Sequence, residues 1–191
     1  MTDTQIELRR PKRADARRNY DSLVTAAREV FSTDGTSAPL EDVARHAGVG
    51  IGTLYRHFPT RQALLEAVYL EEVQAMARAA DELSDVPPWD ALSRWLHQYV
   101  GFAATKRALN EALVEVDPES GALQACRAAL LEAGNALVER AQRAGVVRPD
   151  TTFSDVGRMV AGIAMVPTAD PEQQERLLSL ALDGLRYRPS S

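Results

Sequence analysis

Between Leu40 and Arg61 the chain reads LEDVARHAGVGIGTLYRHFPTR, and its polar side chains are of the types that bind DNA without doing covalent chemistry. Tyr55 can place its hydroxyl on a phosphate while its ring meets a thymine methyl, and Thr53 can hydrogen-bond or touch the same methyl. Gly52 lets the backbone come close, and Gly50 and Ile51 stand just before it. Arg56 is long enough for a guanine edge or for the backbone; the sequence leaves both open, with the groove preferred. His57, Thr60 and Arg61 would position phosphates, helped by free backbone N–H groups after Pro59. Thr36 and Arg45 are secondary candidates, for which capping and solvent exposure are the alternative.

To act together these residues need a helix, a turn and a second helix. Val43 and Ala44 face inward on the first, which breaks after His46 and Ala47 at Gly48, where a tight turn requires positive φ. The second is expected over Ile51 to Phe58. Leu54 and Phe58, four apart, share its packing face, leaving Ile51, Gly52, Thr53, Tyr55, Arg56 and His57 outward or along the edge. Pro59 ends that helix, and Thr60 is a good N-cap for the next, which starts at Arg61. Upstream, Tyr20, Leu23, Val24, Ala27, Val30 and Phe31 recur at steps of three and four, a stripe wide enough to cover a three-helix domain that Gly35 brings to its end.

Asp34-Gly35-Thr36, Val43-Ala44, Ala47-Gly48-Val49, Gly52-Thr53-Leu54-Tyr55, His57-Phe58 and Arg61 with Leu64-Leu65 resemble the TetR family of bacterial one-component transcriptional regulators, over roughly Tyr20 to Ala67. The rest of the chain matches that family in size and helical pattern. Two positions depart from it: Gly50 stands where such families often carry a Ser or Thr cap, and Ile51 where a polar or basic residue is frequent. The resemblance implies that the matching positions contact DNA and that the final two helices dimerise.

The chain has 191 residues, 45% of them hydrophobic, enough for one large or two small cores. Its net charge of −5 conceals an asymmetry: ten Lys and Arg stand against eight Asp and Glu up to Arg61, and twelve against nineteen beyond it. Arg9, Arg10, Lys12, Arg13, Arg17 and Arg18 face a single Asp15, so a flexible arm over residues 1–12 and the helix start carrying Arg13 and Arg17 can neutralise phosphates and release counterions. The alternative for that run is a solubilising tail. One cysteine, Cys126, excludes an internal disulfide framework and reads as a small buried residue. No apolar run reaches the roughly 18 to 20 residues that span a bilayer, and no signal-peptide core follows the basic start, so a cytoplasmic protein without a membrane partner is expected. Gly48-Val49-Gly50-Ile51-Gly52 lacks the preceding strand and the Lys of a phosphate loop, and His46, His57 and His97 are too scattered for a metal site. No metal and no cofactor are expected.

Beyond Arg61 the pattern stays helical. A helix over Arg61 to Leu83 would brace the reading helix at one end and enter a larger core at the other, making it the expected transmission element. Further helices are expected from Trp89, over Ala108 to Val116, Ser120 to Ala144, Phe153 to Val166 and Pro171 to Leu185. The chain thus reads as all-α with about nine helices: a helix-turn-helix domain over 13–61 and a larger effector-binding and dimerisation domain over 62–188. In the last two helices Val156, Val160, Ile163, Leu178, Ala181, Leu182 and Leu185 belong to apolar surfaces that suit a homodimer interface, the alternative being that both helices are central to the monomer. Tyr69, Met76, Trp95, Tyr99, Phe102, Met159 and Ile163 could line a pocket for a small lipophilic effector, although an aromatic and Met stripe at helical spacing reads first as core. Glu111, Glu115, Asp117 and Glu119 have no His or Lys at catalytic spacing, so an enzyme is not expected. The function expected is that of a ligand-responsive repressor binding a palindromic operator on double-stranded DNA as a homodimer; the alternative is an effector-independent architectural DNA binder.

Overall fold

The computed structural model describes residues 14–112, 121–166 and 170–187. Eight helices make up its regular structure: α1 (Ala14–Asp34), α2 (Leu40–His46), α3 (Ile51–His57), α4 (Arg61–Glu82), α5 (Pro88–Ala112), α6 (Gly121–Arg143), α7 (Phe153–Met165) and α8 (Pro171–Leu185). The count differs from the expected nine because α5 runs unbroken through Ala108, where a separate helix had been expected; residues 113–120 lie outside the described set. The chain groups into two compact units, one of Met1–Glu72 with Ala108–Cys126 and the other of Val73–Arg107 with Arg127–Ser191, the first change from one to the other falling inside α4.

The first unit is assembled on α1. Its stripe of Tyr20, Leu23, Val24, Ala27, Val30 and Phe31 is buried, joined by Ala26, and receives Val43 and Ala44 of α2, Leu54 of α3 and Phe58 just after it. Acidic Glu41 and Asp42 open α2 and basic Arg45 and His46 close it, each favourable to the helix dipole. The helix then ends in a Schellman turn. Gly48 takes φ of +69°, its N–H donates to the Arg45 carbonyl at 3.1 Å, and the Val49 N–H donates to the Ala44 carbonyl at 3.0 Å. A side chain at Gly48 would be strained by that backbone, which is why the turn needs glycine. At the start of α4 the Thr60 hydroxyl accepts from the Ala63 N–H at 3.1 Å, the cap expected of it. Arg61 then reaches back to the loop between α1 and α2, donating to the carbonyls of Thr36 at 2.9 Å and Ala38 at 2.7 Å.

The second unit is centred on aromatic rings. Trp95 of α5 has no exposed surface and donates its indole N–H to the Met76 carbonyl of α4 at 2.8 Å. Its ring stacks on Tyr99, with centroids 5.5 Å apart, and meets the edge of Phe153 at 5.3 Å. Phe153 opens α7 and lies so close to Gly134 of α6 that a Cβ there would come within 2.4 Å of its ring. Thr152 and Asp155 form a capping box at the α7 start, and the Thr152 hydroxyl beside the Asp155 carboxylate holds its pKa below the usual range. Arg140 of α6 donates to the carbonyls of Leu83 and Val86, satisfying backbone groups past the end of α4. Among the described residues no helix is long and apolar enough to cross a membrane.

The approach of Gly134 to Phe153 gives a stability test. Gly134→Ala adds a methyl where the ring already stands, and although alanine favours the helix, the overpacking should lower unfolding free energy by about 1 to 3 kcal/mol. Urea denaturation measures it; an unchanged midpoint would mean that the ring moves aside without cost.

Candidate nucleic-acid interface

Helix α3 is seven residues long, too short to hold its shape by propensity, and is fixed by two side chains on one face. Leu54 is completely buried and Phe58 almost so, with the Phe58 ring 5.0 Å from that of Tyr20. This anchorage turns the opposite face to solvent. Ile51, Gly52, Tyr55 and Arg56 are exposed, with Thr53 and His57 half-buried beside them. Tyr55 keeps 47% of its surface, a large exposure for an aromatic residue that is spared by the core. His57 lies edge-on to Tyr20 at 6.3 Å; burial, and then the charge of Arg56, pushes its pKa below the ordinary value, so near neutral pH it is an uncharged imidazole with one N–H to donate.

The arginines between residues 14 and 72 separate by what they touch. Arg18 pairs with Asp15, Arg28 with Glu72 at 3.4 Å, and Arg45 with Asp42 at 2.5 Å. Arg17 and Arg56 are exposed and have no ion-pair partner among the described residues. Exposed pairs are worth little, so Arg45 is held only lightly and a phosphate can compete with Asp42 for it. Arg61 is different. Its guanidinium is part-buried and committed to the Thr36 and Ala38 carbonyls, which makes it a brace of the fold, where the sequence had suggested a phosphate contact. Thr36 contributes its carbonyl to that brace, and Thr60 uses its hydroxyl as a cap while remaining exposed. Gly50 is exposed at the N-cap of α3, and Arg13 lies outside the described residues.

Other sequence candidates are sorted by burial. Tyr69 is buried in the first unit; Met76, Trp95, Tyr99 and Phe102 are buried in the second, Ile163 is half-buried and Met159 is exposed. These seven therefore do not share one environment; Trp95 and Tyr99 pack ring against ring with each other and with Phe153, and Phe102 packs on Tyr99. Burial pushes the Tyr99 phenol pKa up, keeping it a neutral donor. Of the dimer candidates, Val156, Val160, Leu178, Leu182 and Leu185 are buried within the chain, while Ile163 and Ala181 are half-buried. The first five are thus corrected to core positions: the strongest apolar stripe of each helix is the one its own chain covers.

A second stripe had been only partly recognised. On α7, Met159, Gly162 and Ile163 follow the spacing of one helix face, with Val166 at the C-cap just beyond the helix, and on α8 Leu177, Leu180, Ala181 and Gly184 do the same. Met159, Val166 and Leu180 are exposed, Leu180 by 69%, and the places where Gly162 and Gly184 would carry a Cβ are open. Stepping by three and four from Met159 and from Leu177 finds both stripes in the sequence. Phe153 was missed as a centre of the aromatic cluster, because one Phe at a helix start shows no periodicity.

Comparison with known proteins agrees with this geometry. Residues 23–68 match the family described as bacterial regulatory proteins, tetR family, and residues 87–187 match the C-terminal domain described as transcriptional regulator SbtR-like. The HTH-type transcriptional regulator UidR of Escherichia coli (strain K12) is 26% identical over 163 residues, covering 80% of this chain and 81% of UidR. A TetR transcriptional regulator from Streptomyces coelicolor is 40% identical with a TM-score of 0.74, over 87% of this chain and 98% of its own. A TetR transcription regulatory protein from Mycobacterium vanbaalenii is 36% identical with a TM-score of 0.75, over 93% and 100%. With a helix-turn-helix whose outer face is free for DNA and family matches over both parts of the chain, the protein belongs to the TetR family of bacterial transcriptional regulators.

Proposed function

We propose that this regulator is a repressor that binds a palindromic operator as a homodimer and is released by a small lipophilic effector. The observation that carries the DNA half of this reading is the solvent face of α3, where Tyr55 and Arg56 extend with no role in the core while Leu54 holds the helix in place. In this reading Tyr55 contacts phosphate and a thymine methyl, Thr53 and Arg56 address the groove, and Arg17, Arg45, His57 and Thr60 position the backbone. Dimerisation is supported by the exposed stripes of α7 and α8. Two copies burying Met159, Ile163, Leu180 and Ala181 against each other would remove those apolar groups from water, and Gly162 and Gly184 would let the helices come close. Two reading helices so paired fit DNA when about 34 to 36 Å apart, or a multiple of that spacing.

The effector half has narrower support. Tyr99 is buried in an aromatic cluster, where its hydroxyl stands as a polar handle beside apolar rings. An apolar molecule with a single acceptor would satisfy it. An effector that favours a dimer with the wrong head spacing lowers operator affinity by its preference for that state.

Selection from random duplex DNA, followed by titration of the enriched pool against scrambled DNA at one salt concentration, tests the central reading. A palindrome bound about a thousandfold or more above scrambled DNA is expected. Binding without enrichment would point to an architectural DNA binder, and absence of binding would remove the DNA function. On the selected operator Tyr55→Phe should weaken binding modestly at every site, whereas Arg56→Ala should relax preference at one base pair of each half-site by about 1 to 3 kcal/mol if it reads guanine. Equal losses on all sequences would make Arg56 a phosphate contact. Leu180→Glu should leave helix content unchanged while giving a monomer in analytical ultracentrifugation and abolishing tight operator binding; a dimer that persists would place the interface elsewhere.

A further inference from the structure

Ile51 is a β-branched aliphatic residue at the first position of α3, with 36% of its surface exposed. It does not anchor the helix, since Leu54 and Phe58 do that from the other face. Nor does it cap it, because Gly50 provides the N-cap position without a side-chain hydrogen bond. Its two neighbours are Gly50 and Gly52, and nothing lies within 4 Å of where either would carry a Cβ, so the Ile51 side chain stands unflanked along the backbone. One turn on, at the spacing that stacks side chains on a helix, is the exposed ring of Tyr55. The two form an apolar ridge that continues the DNA-facing surface. Such a ridge needs an apolar counterpart, and among the base edges of the major groove the C5-methyl of thymine is the one that projects an apolar group into the groove.

We propose that Ile51 is a specificity-determining residue that reads a thymine methyl in each operator half-site. The inference rests on the DNA-binding reading above and adds to it which base is recognised and by what chemistry. Having no donor or acceptor, Ile51 discriminates only through the methyl it covers. Its partner base is therefore thymine, and removal of that one methyl removes the preference. Covering one methyl contributes at the scale of a buried methylene, which corresponds to about fourfold in affinity for each half-site.

The test uses the full-length protein and its selected operator. Each thymine of the half-site is replaced in turn by deoxyuridine, symmetrically in both halves, which deletes the methyl and keeps every Watson–Crick and hydrogen-bonding group. Dissociation constants are measured at one salt concentration for the wild type, Ile51→Ala and Arg56→Ala. One thymine position should cost the wild type and Arg56→Ala about fourfold per half-site on conversion to uracil, and should cost Ile51→Ala nothing. Ile51 is not among the buried residues, so Ile51→Ala should stay folded, with a cooperative melt that checks it. Tight operator binding that is insensitive to uracil at every position overturns the proposal and leaves the DNA-binding reading intact. A uracil effect that persists unchanged in Ile51→Ala also overturns it and transfers the methyl contact to another residue, Tyr55 first. Failure to select any operator overturns both readings.

Discussion

The burial of Leu54 is the constraint on which the DNA-facing surface depends. A seven-residue helix preceded by glycine and ended just before proline has almost no stability of its own. Enclosed by side chains of the first unit, Leu54 supplies an attachment that propensity does not, and Phe58 against Tyr20 adds a second point, so that the helix cannot rotate about its axis. With those points held, the directions of Ile51, Tyr55 and Arg56 follow from helical geometry alone. The Schellman turn at Gly48 and the Arg61 brace serve the same end, setting where α3 begins and where α4 leaves it. The reading surface is therefore rigid because its back is packed, while its front is left without internal obligations.

Charge is arranged on the same principle. Of the described arginines between residues 14 and 72, Arg18, Arg28, Arg45 and Arg61 are occupied by carboxylates or carbonyls, while Arg17 and Arg56 have no ion-pair partner among the described residues and are exposed. A protein of net charge −5 can act on a polyanion in this way, since binding depends on where unpaired positive charge stands more than on the total. On the exposed face of α3, Arg56 is the one cation, and the His57 pKa beside it is pushed down by burial and then by that charge.

The second unit shows the same division between a covered and an open face. Trp95, Tyr99 and Phe153 form a ring cluster drawn tight by the absence of side chains at Gly134 and Gly157, and the inner stripes of α7 and α8 are buried. Outside, among charged and polar residues, those helices also leave Met159 and Leu180 exposed, apolar surface that costs free energy in water unless another molecule covers it. Each of the two helices thus carries two apolar faces at different angles, one committed to its own chain.

By itself the sequence determined much of this protein: the helical periodicities, the glycine turn at Gly48, the Thr60 cap, the inward Leu54 and Phe58 and the outward Tyr55 and Arg56 are local regularities, set by a repeat of 3.6 residues and by backbone sterics, and all are visible in one dimension. Tertiary structure alone decided three others. It assigned Arg61 to two carbonyls more than twenty residues away in the chain, brought Phe153 onto Gly134, and chose which of the two apolar stripes on α7 and α8 faces inward. The physical reason is common to all three. A side chain's type and spacing set what it can contact, but which partner it meets depends on distances between residues remote in sequence, and those exist only once the helices have packed.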